Sequence, residues 1–389
     1  MFSPFTGLVF DPALVPSIGD ASSPPYDVID EHERRELLDR SPYNVVRLLL
    51  ADADDPSYTQ ARRLLATWRS EGVVRPDPSP GFYLYSMEYT YGGERREARG
   101  VLGALEVMDL GTRIVPHEET MAKHRADRYS VLTATQANVD PIIGLSSSPD
   151  LAGLLEYDGP WRLDFTTSDG VRHRMQNVGD DATLDAVSSA VSNHAVAIAD
   201  GHHRYTTALQ YRRDREAEGR KAGGWTHIMT LVAPAEGSGL TCGPYHRTFA
   251  VFPFEPQSVT SRFTVESVSR AAPEVPGDLV AVTPDGAWRL RAHPEALAEM
   301  PGPWRDASPA VARELLYPLL GITEDHAGYV PEADAAIDAV IPGGAALLVA
   351  PVGEHAMAEA GDTALRFPQK STFFVPKPRA GLVIRPFEI

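Results

Sequence analysis

The chain has 389 residues, enough for two or three closely packed units and a large buried core. Its formal charge of −17 and the absence of a basic tail argue against a nucleic-acid partner, because such binding rests on Lys and Arg displacing phosphate counterions. No run approaches the roughly 20 apolar residues of a membrane helix, the start "MFSPFTGLVF" lacks a signal-peptide pattern, and a single cysteine, Cys242, excludes an internal disulfide; the expectation is a soluble cytoplasmic protein with no membrane partner.

In chain order, "SSPPYDVIDEHERRELLDRSPYNVVRLLL" (22–50) reads as a proline turn, a short helix with Asp30 as N-cap and Glu33 three residues on, and then a strand. Residues 57–73 form an amphipathic helix closed by Gly72. "FYLYSMEYTY", the turn "GGE" and "RREARGVLGALEV" make a hairpin. "TRIVPHEET" is a strand entering a loop, "RADRYSVLTATQANV" a helix and "PIIGLSS" a strand. A second hairpin, "WRLDFTTSDGVRHRMQNV", pivots on Asp169-Gly170. "TLDAVSSAVSNH" is a helix, "AVAIAD" a strand, "HHRYTTALQYRRDREAEGR" a long helix, and "THIMTLVAP" and "YHRTFAVF" are strands. After about 255 the sequence becomes richer in Pro, Ala and Gly. There it holds a hairpin ("LVAVTPDGAWRLRA"), the helix "SPAVARELLYPLLG", the strand "AALLVAPV" and a strand-like end. Strands and helices mix without a regular βαβ alternation, so the expected class is α+β with mixed sheets. The expected division is 1–255 and 256–389, with 366–378 returning to the active site.

The segment most charged with chemistry is "VAIADGHHRYTTALQY" (196–211), where an apolar strand meets a helix. A helix start leaves backbone N–H groups unpaired and attracts anions. Gly201 permits close approach of a ligand, Arg204 offers a planar fork, His202 and His203 add donors, and Asp200 can hold a divalent ion or accept a hydroxyl proton. The segment is built like a phosphate cradle with an acid beside it; equally, Asp200 can simply cap the helix while the others satisfy buried neighbours. No "GxxxxGK[ST]" or "GxGxxG" occurs.

"ADGHHRYTTAL" resembles the Gly-x-His-Arg turn of the ParB/sulfiredoxin superfamily, which holds nucleotide phosphates there. "PPYDVI" (24–29), "SPYNVVRL" (41–48), "PHEETMAKHRADRYSVLTATQANVDPIIGL" (116–145) and "PQKSTFFVPKP" (368–378) occur with it in order. On these motifs the sequence is similar, over about 4–387, to a bacterial family catalogued as domain of unknown function number 1015. It departs from the family form in "EETMAKHRADR", where Lys123 stands in a variable loop. The resemblance implies a ParB/sulfiredoxin-like nucleotide-binding core with additional N- and C-terminal α/β elements. It also implies kinship with free-serine kinases, which phosphorylate a small hydroxyl with ATP or ADP. In those a glutamate after a histidine is the base; Glu118 in "PHEET" matches it, and Asp200, His202, His203 and Arg204 match the turn.

Other residues then acquire candidate roles. Phosphoryl transfer relies on positioning and on cations, here Arg204, Arg128, Arg247 and Lys370, with Mg²⁺ as the metal and Asp200 as its ligand. Lys370, Ser371 and Thr372 suit phosphate or nucleotide contact, and lysine is scarce, with only Lys123, Lys221, Lys370 and Lys377 in the chain. Arg128, Thr135 and Asn138, at spacings of seven and three, can share a helix face. Tyr26, Asp27, Asn44, Arg47, His117, His246 and Arg247 complete the substrate set; Tyr26 and Asp27 can equally be turn residues, and Arg47 inside an apolar strand needs an anionic partner. A zinc site from His117, His124, His202, His203 and His246 has no "HExxH" spacing behind it. The expected activity is a nucleotide-dependent kinase acting on serine or a serine-like metabolite. The alternatives are a nonenzymatic nucleotide-binding regulator of ParB type and a nucleotide or phosphoester hydrolase.

Overall fold

The structure is a computed structural model. It describes residues 1–50, 55, 57–111, 113–119, 122–269, 272–353, 356 and 365–388, without the side chains of 122–125, so Lys123 and His124 lie outside the described side chains. The chain forms two units. Unit 1 comprises 1–115, 121–240 and 376–389, and unit 2 comprises 116–120 and 241–375. The division therefore falls after Leu240 rather than at 255. Of the segment expected to return to the active site, 366–378, Pro376 onward lies in unit 1.

Unit 1 is built on a mixed sheet. Its strand order is Ile114–Pro116 (where the chain passes between units), Val196–Asp200, Ile142–Ser146, His227–Pro234, Glu94–Glu106, Phe82–Tyr91, Arg172–Val178 and Leu163–Thr166, with Phe2–Ser3 added on Glu94–Glu106. The hairpin Phe82–Tyr91/Glu94–Glu106 turns on Gly92 and Gly93, both at positive φ, as its "GG" requires. Ile142–Ser146 runs parallel to His227–Pro234. One core joins strand residues Val101, Ile142, Val196, Ile198 and Val232 to Leu151, Val187, Val191, Tyr205 and Ala208 from helices. A second core joins Leu8, Phe10, Leu65 and Trp68 to Ala380 and Ile384, so the C-terminal return is structural in this unit.

Two local readings of unit 1 need correction. The stretch 41–50 contains a helical turn, Val46–Leu49, and no strand. Asn44 fixes it: its Oδ1 accepts from Val46 N–H (2.9 Å), while Nδ2 donates to the carbonyls of Asp20 (2.7 Å) and Ser22 (3.0 Å). Side-chain bonding of this kind competes with a ladder and wins here. Arg47 accordingly donates to the Leu38 carbonyl (2.6 Å). The helix Ala122–Thr135 also stops before Asn138, because Gln136 is at φ +48°, and Asn138 lies in the short strand Ala137–Asn138.

Unit 2 centres on a six-stranded antiparallel sheet in the order Phe263–Ser267, Gly286–Ala292, Leu279–Thr283, Ala345–Val349, His246–Phe249, Ala327–Val330. Its core face carries Phe249, Leu279, Leu290, Ala345, Leu347 and Val349 and packs on Ala310, Val311, Leu315, Leu316 and Tyr317. The helix expected over 308–321 is present, with a π-helical turn at Ala312–Leu316 just ahead of Pro318, whose missing N–H cannot sustain regular pairing. Among the described residues no helix is long and apolar enough to cross a membrane. The architecture is α+β with mixed sheets, as composition and element order imply.

Candidate functional site

In unit 1 the strand Val196–Asp200 pairs with Ile142–Ser146, but the register slips between Ile198 and Asp200. A bulge re-aims the side chain after it, which here is Asp200. Gly201 follows at φ +93°; a Cβ there would lie 2.5 Å from Ile142 Cγ2, so both conformation and space demand glycine. The helix His202–Ala217 then begins, with Tyr205 N–H bonded to the Gly201 carbonyl (2.9 Å) and no side-chain cap from Gly201.

Ion pairs fill the surroundings of this turn. Asp200 Oδ2 accepts from Arg204 Nη2 (2.6 Å), and Oδ1 from Lys377 Nζ (2.5 Å). Arg204 Nη1 also reaches Asp140 Oδ2 (3.0 Å), and Lys377 reaches Asp27 Oδ2 (3.2 Å). Burial pulls the Arg204 guanidinium down, but the carboxylates of Asp140, Asp200 and Asp27 outweigh it and raise its pKa, so it stays charged. Tyr26 lies between two guanidiniums, with Arg128 Cζ 3.8 Å and Arg204 Cζ 5.9 Å from its ring centroid. Burial, and after it Asp27, push the Tyr26 hydroxyl well above the ordinary tyrosine range, so it is a neutral donor. Arg128 donates to the Leu49 carbonyl (2.8 Å), Tyr58 Oη (3.0 Å) and Asp127 Oδ2. The cradle expected around Arg204 thus has its cations balanced by the protein's own carboxylates.

A divalent metal at Asp200 does not fit this arrangement. Both carboxylate oxygens are engaged by cations, and no group of three or more His, Cys, Asp or Glu side chains among the described residues is placed to hold an ion. Two expected substrate residues are satisfied within unit 1: Thr135 Oγ1 donates to the Val131 carbonyl (2.8 Å), and Asn138 Oδ1 accepts from Met229 N–H (3.0 Å) and Arg385 Nη1 (2.9 Å).

Unit 2 gathers the other candidates. Glu118 and Phe367 form a parallel bridge, with Phe367 N–H bonded to the His117 carbonyl (2.7 Å) and Glu119 N–H to the Phe367 carbonyl (3.1 Å). The Glu118 carboxylate accepts from the backbone N–H groups of Lys370 (3.1 Å), Ser371 (3.1 Å) and Thr372 (2.8 Å) and from Thr372 Oγ1 (2.6 Å). It therefore organises the turn in which Lys370 takes φ +53° and Ser371 Oγ donates to the Pro368 carbonyl (2.6 Å). His117 Nε2 meets Thr372 Oγ1 at 2.7 Å, and Lys370 Nζ stands 4.8 Å from the Tyr245 ring centroid. His246 Nδ1 accepts from Val349 N–H (3.2 Å), and burial followed by the adjacent Arg247 lowers its pKa to about 4, so it is a neutral structural acceptor.

Grouping is therefore partial. Glu118 and His117 stand with Lys370, Ser371 and Thr372, while Asp200, Gly201 and Arg204 stand with Tyr26, Asp27 and Arg128. Sequence reasoning missed Lys377, Asp140 and Tyr58 as members of the charged network, and Glu324, described below. Lysine scarcity was a usable signal for Lys377; Asp140, placed before Pro141 and a buried strand, offered another.

The sequence matches no curated protein. Solved structures to which the chain is similar include SbnI with a C-terminal truncation from Staphylococcus aureus (13% identity, TM-score 0.40, covering 72% of this chain and 87% of that one). A conserved hypothetical protein from Pyrococcus furiosus gives 12% identity and TM-score 0.37, covering 72% and 98%. A free serine kinase variant in complex with ADP gives 12% identity and TM-score 0.37, covering 72% and 95%. The family model described as "Protein of unknown function (DUF1015)" matches residues 2–315, most of the chain, and the protein belongs to that family.

Proposed function

We propose that the protein is a nucleotide-dependent kinase with a ParB/sulfiredoxin-like core, transferring a phosphoryl group to the hydroxyl of serine or a serine-like small molecule. The observation that carries this reading is the strand–glycine–helix turn of unit 1. A bulge aims Asp200, a glycine at φ +93° opens a 16-residue helix without supplying a cap, and a buried Arg204 stays charged beside it. The first-turn amides of such a helix attract phosphate oxygens. Gly201, His203 and Arg204 take the phosphates, with His202 and Asp200 orienting the reacting end. In the transfer the acceptor oxygen bonds to the terminal phosphorus, the bond from that phosphorus to the bridging oxygen breaks, the shortened nucleotide leaves, and the hydroxyl proton passes to a carboxylate.

Purified protein incubated with ATP or ADP, Mg²⁺ and a panel of amino acids and hydroxylated metabolites tests this. One acceptor gaining a single phosphoryl group by mass spectrometry is the expected result. Nucleotide binding without any phosphorylated product overturns it, and phosphate release without an acceptor points to hydrolysis. A second reading, a nucleotide-binding regulator without turnover, is favoured by one observation: Glu118 already receives four hydrogen bonds from the 370–372 turn. The two readings part on turnover: the kinase reading requires a phosphorylated product, and the regulator reading requires nucleotide binding with none.

A further inference from the structure

In the six-stranded sheet of unit 2, Phe249 faces the core, so Arg247, two residues earlier on the same strand, faces it too. Arg247 stands opposite Leu347 on one neighbour and Tyr329 on the other, and it is wholly buried at 0% exposure. Its Nη1 donates to the Tyr245 carbonyl (2.5 Å), and its Cζ lies 5.4 Å from the Tyr329 ring centroid. Nε and Nη2 have no hydrogen-bond partner within 3.5 Å, although the Tyr317 hydroxyl is near enough to act on this guanidinium, and among the described residues no carboxylate lies within ion-pair distance of it. A charge so placed is costly unless its donors are met.

The complementary groups are close in the same unit. Glu324 Oε1 and Gln369 Oε1 are also buried without partners, Tyr317 Oη has only the Arg247 guanidinium to meet, and Gln369 Nε2 donates to Tyr329 Oη (3.3 Å). Burial lifts the Glu324 carboxyl to about 7, with Arg247 and then Arg313 opposing the rise and Glu119 and Glu118 adding to it. The unmatched inventory is thus two N–H donors along one edge of a guanidinium and two carbonyl-type acceptors, with the Tyr317 hydroxyl beside the guanidinium. The cluster approaches the solvent at Glu324, Tyr329 and Lys370, which are half-buried.

We propose that Arg247, Glu324 and Gln369 form a recognition site for the α-carboxylate and α-ammonium of a free amino acid. The Nε–H and Nη2–H of Arg247 leave one edge of the guanidinium in the spacing that binds both oxygens of a carboxylate. The neighbouring ammonium donates to Glu324 Oε1 and Gln369 Oε1, and the Tyr317 hydroxyl completes the ring. A lone carboxylate or phosphate meets only the donors and sets a second negative charge against Glu324. A lone amine meets only the acceptors and stands against Arg247. This deepens the kinase reading by naming the acceptor's class, but it stands on unit 2 alone.

Calorimetric titration of the full chain, without nucleotide, tests the site. The ligands are the proteinogenic L-amino acids, ethanolamine, 3-hydroxypropionate and inorganic phosphate. At least one amino acid binds saturably, and the compounds lacking either charged group, phosphate included, bind at least about tenfold more weakly. R247M loses about tenfold or more in affinity with its melting temperature held or raised, because replacing a buried charge by an apolar side chain of similar size is often neutral or stabilising. E324Q weakens binding as well and serves where R247M fails to fold. The proposal is overturned if no amino acid binds, if the truncated compounds or phosphate bind as tightly, or if the variants bind like the parent. Amino-acid binding without phosphoryl transfer refutes the kinase reading alone; transfer to an alcohol lacking an ammonium group refutes this site alone.

Discussion

Removing the Glu118 carboxylate tests how much of unit 2 hangs on one side chain. E118A deletes four hydrogen bonds and leaves the N–H groups of Lys370, Ser371 and Thr372 without their acceptor, in a turn where Ser371 is fully buried and Thr372 nearly so. Hydrogen bonds to a charged group contribute roughly 1.5–3 kcal/mol each, and an orphaned buried donor costs about 1–3 kcal/mol, with strong non-additivity within one network. The bonds share one carboxylate, so a loss of about 4 kcal/mol is expected, not the sum. For a unit of about 140 residues, 1 kcal/mol shifts the melting temperature by roughly 3 °C, so E118A melts about 12 °C lower. E118Q keeps one acceptor oxygen but turns an amide NH₂ toward an N–H donor, and loses about 2 kcal/mol, or roughly 6 °C. Differential scanning calorimetry of the full chain gives both values, and hydrogen exchange at the Ser371 and Thr372 amides reports the same contacts locally. An E118A shift under about 3 °C, or unchanged protection at those amides, refutes the account of Glu118 as the organiser of this turn.

G201A forces a Cβ into a left-handed conformation 2.5 Å from Ile142 Cγ2, and is expected to cost about 1–3 kcal/mol and weaken nucleotide binding, measured by calorimetry of the same preparation. K377M leaves the half-buried Asp27 and Asp200 without their shared cation and destabilises by roughly 1–3 kcal/mol, whereas the double change with D200N recovers part of that loss; a double-mutant cycle in denaturant reads the coupling. Glu324 has a folded-state pKa of about 7 against an ordinary value of 4.5, so the native state holds the extra proton between those values and stability falls as pH rises through that window. E324Q removes up to about 3 kcal/mol of that decline, and its melting temperature exceeds the parent's at pH 8 and matches it near pH 4.5. His173 works in the opposite direction: burial first, then Arg379, lowers its pKa to about 3, so stability is lost as pH falls below 6.5, by roughly 2 kcal/mol at pH 5. H173Q flattens the acid side of the stability profile in thermal melts between pH 5 and 7.

What the sequence determined by itself is local. The "GG" and "DG" hairpin turns, the Asp30 cap with its bond from Glu33 N–H (2.8 Å), the helix closed by Gly72 at φ +74° and the strand–Gly201–helix turn all follow from side chains acting on their own or adjacent backbone. Periodicity failed where a distant partner decided. Asn44 folds 41–50 into a helical turn by reaching back to Asp20 and Ser22, and positive φ at Gln136 carries Asn138 off the helix to Arg385. The candidate site divides the same way. The residue types at 118 and 200–204 were legible, but their partners lie far along the chain: Glu118 is about 250 residues from Thr372, and Asp200 is 177 from Lys377. Only the tertiary structure decided that Arg204 is held by Asp140 and Asp200, that Lys377 joins two carboxylates, and that Arg247 is wholly buried in unit 2 within electrostatic reach of Glu324. The energy of a charge depends on what surrounds it in space, and sequence spacing carries no record of that surrounding once the chain has turned back on itself.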